Sequence, residues 1–242
     1  MINYQFKSPC SYDSAVSQLA TYLSERKSTA VTPHVILVGI SGLSQSGKTT
    51  FANSLEEVLG NVVSIDGDKY QPGREVGMPI YKEAIEAARQ GRLDPNFHHQ
   101  VWNYQAMKEQ IFDPIAQFNQ SPDYRITLQL RNVMNVATKR SDSMHDETVE
   151  VNKDQTLIMP FMYQGHLGEQ FDYRIRLLIT PQTSVDRKIA RDLAKGVQRD
   201  PKTTMEMVQL VEFPAMQHEE EEFPLRNVIK LDTNDFTNIK FL

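Results

Sequence analysis

The stretch that decides the fold is "VILVGISGLSQSGKTTFANSL", Val35 to Leu55, in which Gly42, Gly47, Lys48 and Thr49 fill the fixed places of G-x-x-x-x-G-K-T. "VILVG", Val35 to Gly39, is a short apolar run of the kind that forms a strand buried on both faces of a parallel sheet. Phe51, Ala52, Leu55, Val58 and Leu59 then recur on one helical face, and Gly60 supplies a stop. Strand, glycine-rich turn and helix in that order aim backbone N–H groups and the positive end of a helix at a phosphate. Gly42 and Gly47 permit the turn, Lys48 would reach the terminal phosphates, and the Thr49 hydroxyl would be a magnesium ligand. Ser44, Gln45, Ser46 and Thr50 complete the residues expected around a bound nucleoside triphosphate.

Outward from this motif the chain alternates strands and helices. Upstream, Val16, Leu19, Ala20 and Leu23 predict an amphipathic helix over Tyr12 to Arg26, within an N-terminal helical extension of residues 1–32. Downstream, "VVSI" (Val62 to Ile65) reads as a second strand, followed by a turn and a helix from Pro79 to Gln90, with Pro79 in its first turn and Gly91 at its end. A helix from Tyr104 to Phe118 is expected to bend or break at Asp113-Pro114. From Tyr124 to Asn152 the texture changes to antiparallel alternation, so residues 124–153 read as an inserted β-rich lobe. Thr156 to Met159, Tyr173 to Thr180 and Asn227 to Leu231 predict three more core strands, with helices over Ser184 to Lys195 and Thr203 to Glu219. The fold class that follows is α/β: a single domain over 1–242, a three-layer sandwich with a five-stranded, mainly parallel sheet, and its site at the strands' carboxyl ends.

Composition limits the function. A formal net charge of −5 gives no overall basic field for nucleic acid. The single cysteine, Cys10, excludes an intramolecular disulfide framework and a cysteine-rich zinc site. No run approaches the ~18 apolar residues of a membrane span, and the N-terminus lacks the apolar core of a signal peptide, so a cytoplasmic protein without a membrane partner is expected. "HEEEEF", His218 to Phe223, reads as a solvated helix face, and the methionines as core filler. A homo-oligomer is compatible with all of this.

Phosphoryl transfer to an alcohol needs a carboxylate near the phosphate loop, and "SIDGDKY" offers Asp66 and Asp68 at the end of the second strand. At this point the chain resembles the phosphoribulokinase and uridine kinase family of P-loop kinases. "GISGLSQSGKTTFANSL" is similar to that family's opening loop, with Ser41 and Ser46 extending the agreement beyond the generic motif. "VVSIDGDKY" is similar to its second motif, a strand with S-x-D shortly followed by an aromatic, here Tyr70. Strand register places Asp66 in the position of the catalytic base and a magnesium contact, while counting back from Tyr70 keeps Asp68 as an alternative. "FDYRIRLLITPQTSVDRKIARDLAKGVQRD", Phe171 to Asp200, resembles the family's strand and lid helix, so residues 184–202 are expected as a lid. The resemblance puts Arg187, Arg191 and Arg199 over the phosphates, with Arg191 catalytic; on chemistry alone they are also ordinary surface cations.

This chain departs from the family in two places. The Glu-Gly pair expected after the third core strand is Pro160-Phe161. In "LDPNFHHQVWNYQAM" His98 stands where the family carries an aspartate. His98 and Trp102 are candidates to hydrogen-bond or stack on an acceptor, although an exposed helix start is the blander reading of the histidine pair. Being adjacent, His98 and His99 are not expected to share a metal ion, and no zinc is expected. Arg131, Lys139 and Arg140 would serve a phosphorylated acceptor. The resemblance therefore implies an ATP- and Mg2+-dependent kinase for a small-molecule hydroxyl acceptor, such as uridine or cytidine. Pantothenate, glycerate or a phosphorylated pentose is the alternative acceptor, and a nucleotide-binding regulatory protein with a degenerate acceptor site the alternative class.

Overall fold

The computed structural model describes residues 4–29, 32–197, 200–223 and 228–242. The chain runs α1 (Tyr12–Ser28), β1 (Ile36–Gly42), α2 (Lys48–Leu59), β2 (Val62–Ser64), α3 (Arg74–Arg89), α4 (Tyr104–Met107) and α5 (Asp113–Gln120). It continues through β3 (Arg125–Met134), β4 (Met144–Asn152), β5 (Thr156–Pro160), β6 (Tyr173–Leu178), α6 (Pro181–Ala194), α7 (Pro201–Glu206), α8 (Phe213–Glu222), β7 (Val228–Asp232) and β8 (Lys240–Phe241).

The described residues form a six-stranded sheet in the order β2-β5-β1-β6-β7-β8. The five expected strands are all present and pair in parallel; β8 is the sixth, antiparallel to β7. Two residues are too few to show any periodicity, which is why β8 is invisible in the sequence. β1 lies between β5 and β6, and all seven of its residues are buried. That accounts for its unbroken apolar run.

Each face of the sheet carries its own hydrophobic layer. On one, Leu19 and Leu23 of α1 pack with Phe51 and Leu55 of α2 against Val38 and Ile40 of β1. The N-terminal helix is thus part of a layer and not an appendage. On the other face Leu37 and Met159 meet Ile111, Phe112, Met207 and Val211, together with Leu128, Leu130, Val133 and Val151 from the β3–β4 pair. The β-rich lobe is therefore seated on the core.

One helix differs from expectation for an identifiable reason. α3 starts at Arg74, so Pro79 lies inside it. Its start is fixed by Gly73 at φ 87 and by hydrogen bonds to the lobe, Arg74 N–H to the Lys139 carbonyl at 2.9 Å and Ser141 N–H to Glu75 Oε2 at 2.9 Å. Those partners lie more than sixty residues away, beyond the reach of a local pattern. At Pro114 the regular α-helix is interrupted as expected, by a π-helical turn over Lys108–Phe112 after which α5 begins at Asp113. Pro214 is preceded by a second such turn, Met207–Glu212. A widened turn gives the proline ring room that the regular i→i−4 ladder lacks.

Leu55 is fully buried between α1 and the sheet. Leu55→Ala is expected to lower stability by about 2–5 kcal/mol, read as a fall in the urea midpoint at unchanged slope.

Candidate active site

The phosphate loop leaves β1 at Gly42, whose φ is 149. A Cβ there would lie 2.4 Å from the Leu177 carbonyl of β6 and 2.6 Å from Ser46 Oγ, so glycine alone fits. Gln45 at φ 63 and Gly47 at φ 93 complete the turn into α2. Lys48 folds back, its Nζ donating to the carbonyls of Gly42 at 2.8 Å and Leu43 at 2.9 Å. Burial lowers Lys48 to about 8, against the opposing charges of Asp68, Glu212 and Asp66. Ser46 Oγ is buried without a hydrogen-bond partner among the described residues, while Thr49 and Thr50 are exposed at the helix start.

Asp66 caps a 3-10 turn, Gly67–Tyr70, its Oδ1 accepting the Asp68 N–H at 2.9 Å. Burial, then the charge of Asp68, raises Asp66 to about 6. Asp68 is held by Gln71 Nε2 at 2.8 Å and by Lys139 Nζ at 3.5 Å. Phe161, standing where the family has a glycine, is buried beneath this turn. A Cβ on Gly67 would lie 2.6 Å from Phe161 Cγ, so the aromatic ring and Gly67 require each other.

Of the expected lid residues, Arg191 faces the site and Arg187 does not. Arg187 donates to the carbonyls of Gln45 at 3.4 Å, Thr233 at 2.9 Å and Asn234 at 2.9 Å, and stacks on Phe236 at 4.4 Å. It ties the phosphate loop to the segment after β7. The face of α6 turned to the cavity carries Lys188, Arg191 and, at the helix C-cap, Lys195, spaced i, i+3 and i+7. Arg199 lies outside the described residues.

The sequence reading missed Glu212. It sits on the second π-helical turn, 2 % exposed, accepting from Ser44 Oγ at 2.6 Å and pairing with Lys188 Nζ at 3.2 Å. Ser184 Oγ donates to the Ser44 carbonyl at 2.6 Å. The helical pattern of Thr203 to Glu219 marks Glu212 only as a polar residue on a mostly apolar face, and no local signal shows what it meets.

These groups line one cavity of about 990 Å³. Its lining combines the loop residues Gln45, Gly47, Lys48, Thr49 and Thr50, the carboxylates Asp66, Asp68 and Glu212, the apolar and aromatic Met78, Tyr81, Val101, Trp102, Met134 and Met162, and the cations Arg74 and Lys139. Trp102 is 2 % exposed, and its Nε1 finds no acceptor among the described residues.

Other candidates for the acceptor site lie off this cavity. Tyr70 is buried in the core, its hydroxyl 3.3 Å from Gln110 Oε1. Arg131 is exposed on β3, its backbone N–H bonded to Gln110 Oε1 at 2.9 Å. His98 is 1 % exposed and stacked on Tyr163, with ring centroids 4.4 Å apart, so an exposed helix start is corrected for this histidine and holds only for His99. Burial, then the neighbouring imidazoles, pushes His98 down to about 3, and the ring is neutral.

No family model and no curated protein matches the sequence. Solved structures do. A proposed fructose transport system kinase from a Silicibacter species has a TM-score of 0.58 at 17% identity, covering 88% of this chain and 97% of that one. A possible uridine kinase from Bacillus stearothermophilus has a TM-score of 0.52 at 17% identity, covering 86% and 96%. D-glycerate 3-kinase from Cryptococcus neoformans has a TM-score of 0.60 at 11% identity, covering 94% and 99%. Among the described residues no helix is long and apolar enough to cross a membrane. The neighbours are P-loop kinases of the phosphoribulokinase and uridine kinase family, and this chain has that family's fold: a mostly parallel α/β sheet with a small antiparallel lobe.

Proposed function

We propose that the protein is an ATP-dependent kinase that transfers the γ-phosphoryl group to a hydroxyl of a small metabolite, with a nucleoside of the uridine or cytidine kind as acceptor. The observation that carries this reading is that one cavity joins the phosphate loop, the Asp66–Asp68 pair and the lid cations Lys188, Arg191 and Lys195. Converging cations suit a polyanion.

Lys48 would meet the β- and γ-phosphates, with Ser44, Gln45, Ser46, Gly47 and Thr50 around them. Magnesium, when bound, would neutralise charge on the phosphate oxygens; of the two donors expected for it, Thr49 and Asp66, the second is also the candidate base. Oδ1 of Asp66 already accepts a backbone N–H, so its other oxygen is the one open to a new partner. We assign that oxygen the proton of the acceptor hydroxyl, and leave magnesium to Thr49, phosphate and water. Arg191 would then stabilise charge on the group in transfer as the acceptor oxygen bonds to phosphorus and ADP leaves.

Tyr81 and Trp102 among otherwise apolar lining residues favour a ring-bearing acceptor. Arg74 and Lys139 in the same lining favour a second reading, an anionic acceptor such as glycerate, pantothenate or a phosphorylated pentose. ADP release from Mg-ATP across these acceptors, with mass detection, separates the two. A product heavier by one phosphoryl group names the substrate; silence across the panel despite tight ATP binding would favour the regulatory alternative.

Asp66→Asn is expected to reduce kcat by about 10²–10⁴-fold with ATP affinity within about threefold of wild type. An equal loss of ATP binding would remove the base assignment, and the same kcat loss in Asp68→Asn alone would move it to Asp68.

The pH profile follows from the same groups. Asp66 must be ionised to take a proton, so kcat/KM for the acceptor should rise as pH climbs through about 6 and then level. Lys48 must be charged to capture ATP, so kcat/KM for ATP should fall above about 8. An acceptor profile already at its plateau below a pH of about 5 would contradict a buried carboxylate base.

A further inference from the structure

Away from the phosphate loop, the fold gathers three histidines from two separate turns. His98 and His99 lie on the 3-10 turn Phe97–Gln100 that follows α3, and His166 on the 3-10 turn Gly165–Gln170 that follows β5. His99 Nε2 and His166 Nε2 are 2.6 Å apart, and one nitrogen from each of the three rings lies within 4.8 Å of the others. Ring centroids are separated by 4.8 Å (98–99), 5.4 Å (98–166) and 4.0 Å (99–166).

Against the expectation from adjacency alone, which could not foresee His166 arriving from another turn, we propose that His98, His99 and His166 bind one divalent transition ion of the zinc class, clipping the turn after α3 to the segment after β5. Metal–nitrogen bonds of about 2.0–2.1 Å place two imidazole nitrogens on a tetrahedral ion about 3.4 Å apart. The one nitrogen pair at 2.6 Å lies inside that value and all three nitrogens lie within 4.8 Å of one another, so the rings are gathered on the scale of a single ion, with the exposed His99 and half-buried His166 the rings to adjust about His98. Two neutral imidazoles facing each other nitrogen to nitrogen can share a single proton at most; an ion between them uses both lone pairs.

The ring most deeply placed is already oriented. The Tyr104 hydroxyl donates to the Tyr163 carbonyl at 3.3 Å, which leaves its oxygen to accept from His98 Nδ1–H at 2.8 Å. That chain directs the lone pair of His98 onto Nε2, the arrangement that outer hydrogen bonds impose on metal-ligating histidines. His98 is further held by stacking on Tyr163, and His166 by Phe223 at 4.4 Å. His98 is buried, His166 half-buried and His99 exposed, so the cluster opens to solvent on one side, where water can fill a fourth position. Glu222 exerts its charge on both His99 and His166 and pairs with His218 at 3.2 Å. Three imidazoles without thiolate or a ring of hard oxygens select zinc, cobalt, nickel or copper over magnesium and calcium.

The clip would act at the acceptor end of the cavity. The turn carrying His98 and His99 runs directly into Val101 and Trp102, and His166 follows four residues after Met162, all three being cavity wall. An ion bound here ties together two sides of that wall whatever the acceptor is.

The test uses the full chain without a histidine tag, stripped by chelator. Zn2+ titrated against a chromophoric competitor is expected to bind at one ion per chain, and Co2+ to give the visible absorption of a tetrahedral nitrogen site. Zn2+, and not Mg2+, should raise the melting temperature. His166→Ala and His99→Ala should each weaken Zn2+ binding at least about 100-fold, and Tyr104→Phe by about 10–100-fold through loss of orientation. Because His99 is exposed, its variant keeps the fold and serves if His166→Ala does not. Wild type that takes up no stoichiometric Zn2+ at micromolar concentration, or variants that bind it as tightly as wild type, would overturn the site.

Discussion

The structure turns on the close approach of two backbones at Gly42. β1 and β6 pair residue for residue up to Gly42 and Leu177, and the Leu177 carbonyl fills the space a side chain would need. The chain must therefore turn away from the sheet at that point, and the positive φ angles of Gln45 and Gly47 carry it into α2. The loop is then held from outside. Lys48 closes it from within through two carbonyls, Arg187 grips the Gln45 carbonyl from behind, and Glu212 with Ser184 fixes Ser44. An anion site made of amides works only if those amides are already aimed, and each of these contacts serves that.

The same burial that orders the site moves its protons. Lys48 is lowered and Asp66 raised for the same first cause, removal from water, and each charge opposes the shift of the other. Glu212 and Lys188 are buried more deeply still, as an ion pair. Removing one member of such a pair strands the other, so the pair specifies geometry more than it adds stability. Its geometry is useful here: one carboxylate positions a phosphate-loop serine and a lid lysine together.

How far the sequence could be read depends on the range of the forces involved. The strand, loop and helix around Gly42, the parallel order of the core and the presence of Asp66 and Asp68 at a strand's end are local or periodic facts, and they were legible. The helix α6 was legible too, but not which of its faces turns inward: Arg187 and Lys188 differ by one residue, and only packing against the loop assigns Lys188 to the cavity. Glu212 meets Ser44 across 168 positions and His99 meets His166 across 67, so neither juxtaposition leaves a local trace. The reading of Pro79 as a first-turn marker failed because Gly73 decides that boundary, whereas the irregularity expected at Asp113-Pro114 takes the form of a π-helical turn just before it.

Pro160-Phe161 removes a family carboxylate, yet the structure gives the aromatic ring a definite task. Phe161 fills the space under Gly67 and so supports the turn on which Asp66 and Asp68 ride. A charged side chain buried there would lack a partner and cost more than the packing it replaced. The nearby Glu212 is no substitute as a metal ligand, since its two oxygens already serve Ser44 and Lys188. In the proposed reaction the acid–base chemistry would fall to the Asp66–Asp68 pair, of which Asp66 is the carboxyl that burial raises. The phosphate loop, held through Ser44 by the buried pair, and the Asp66 turn, supported by Phe161, are thus built separately and meet at one cavity.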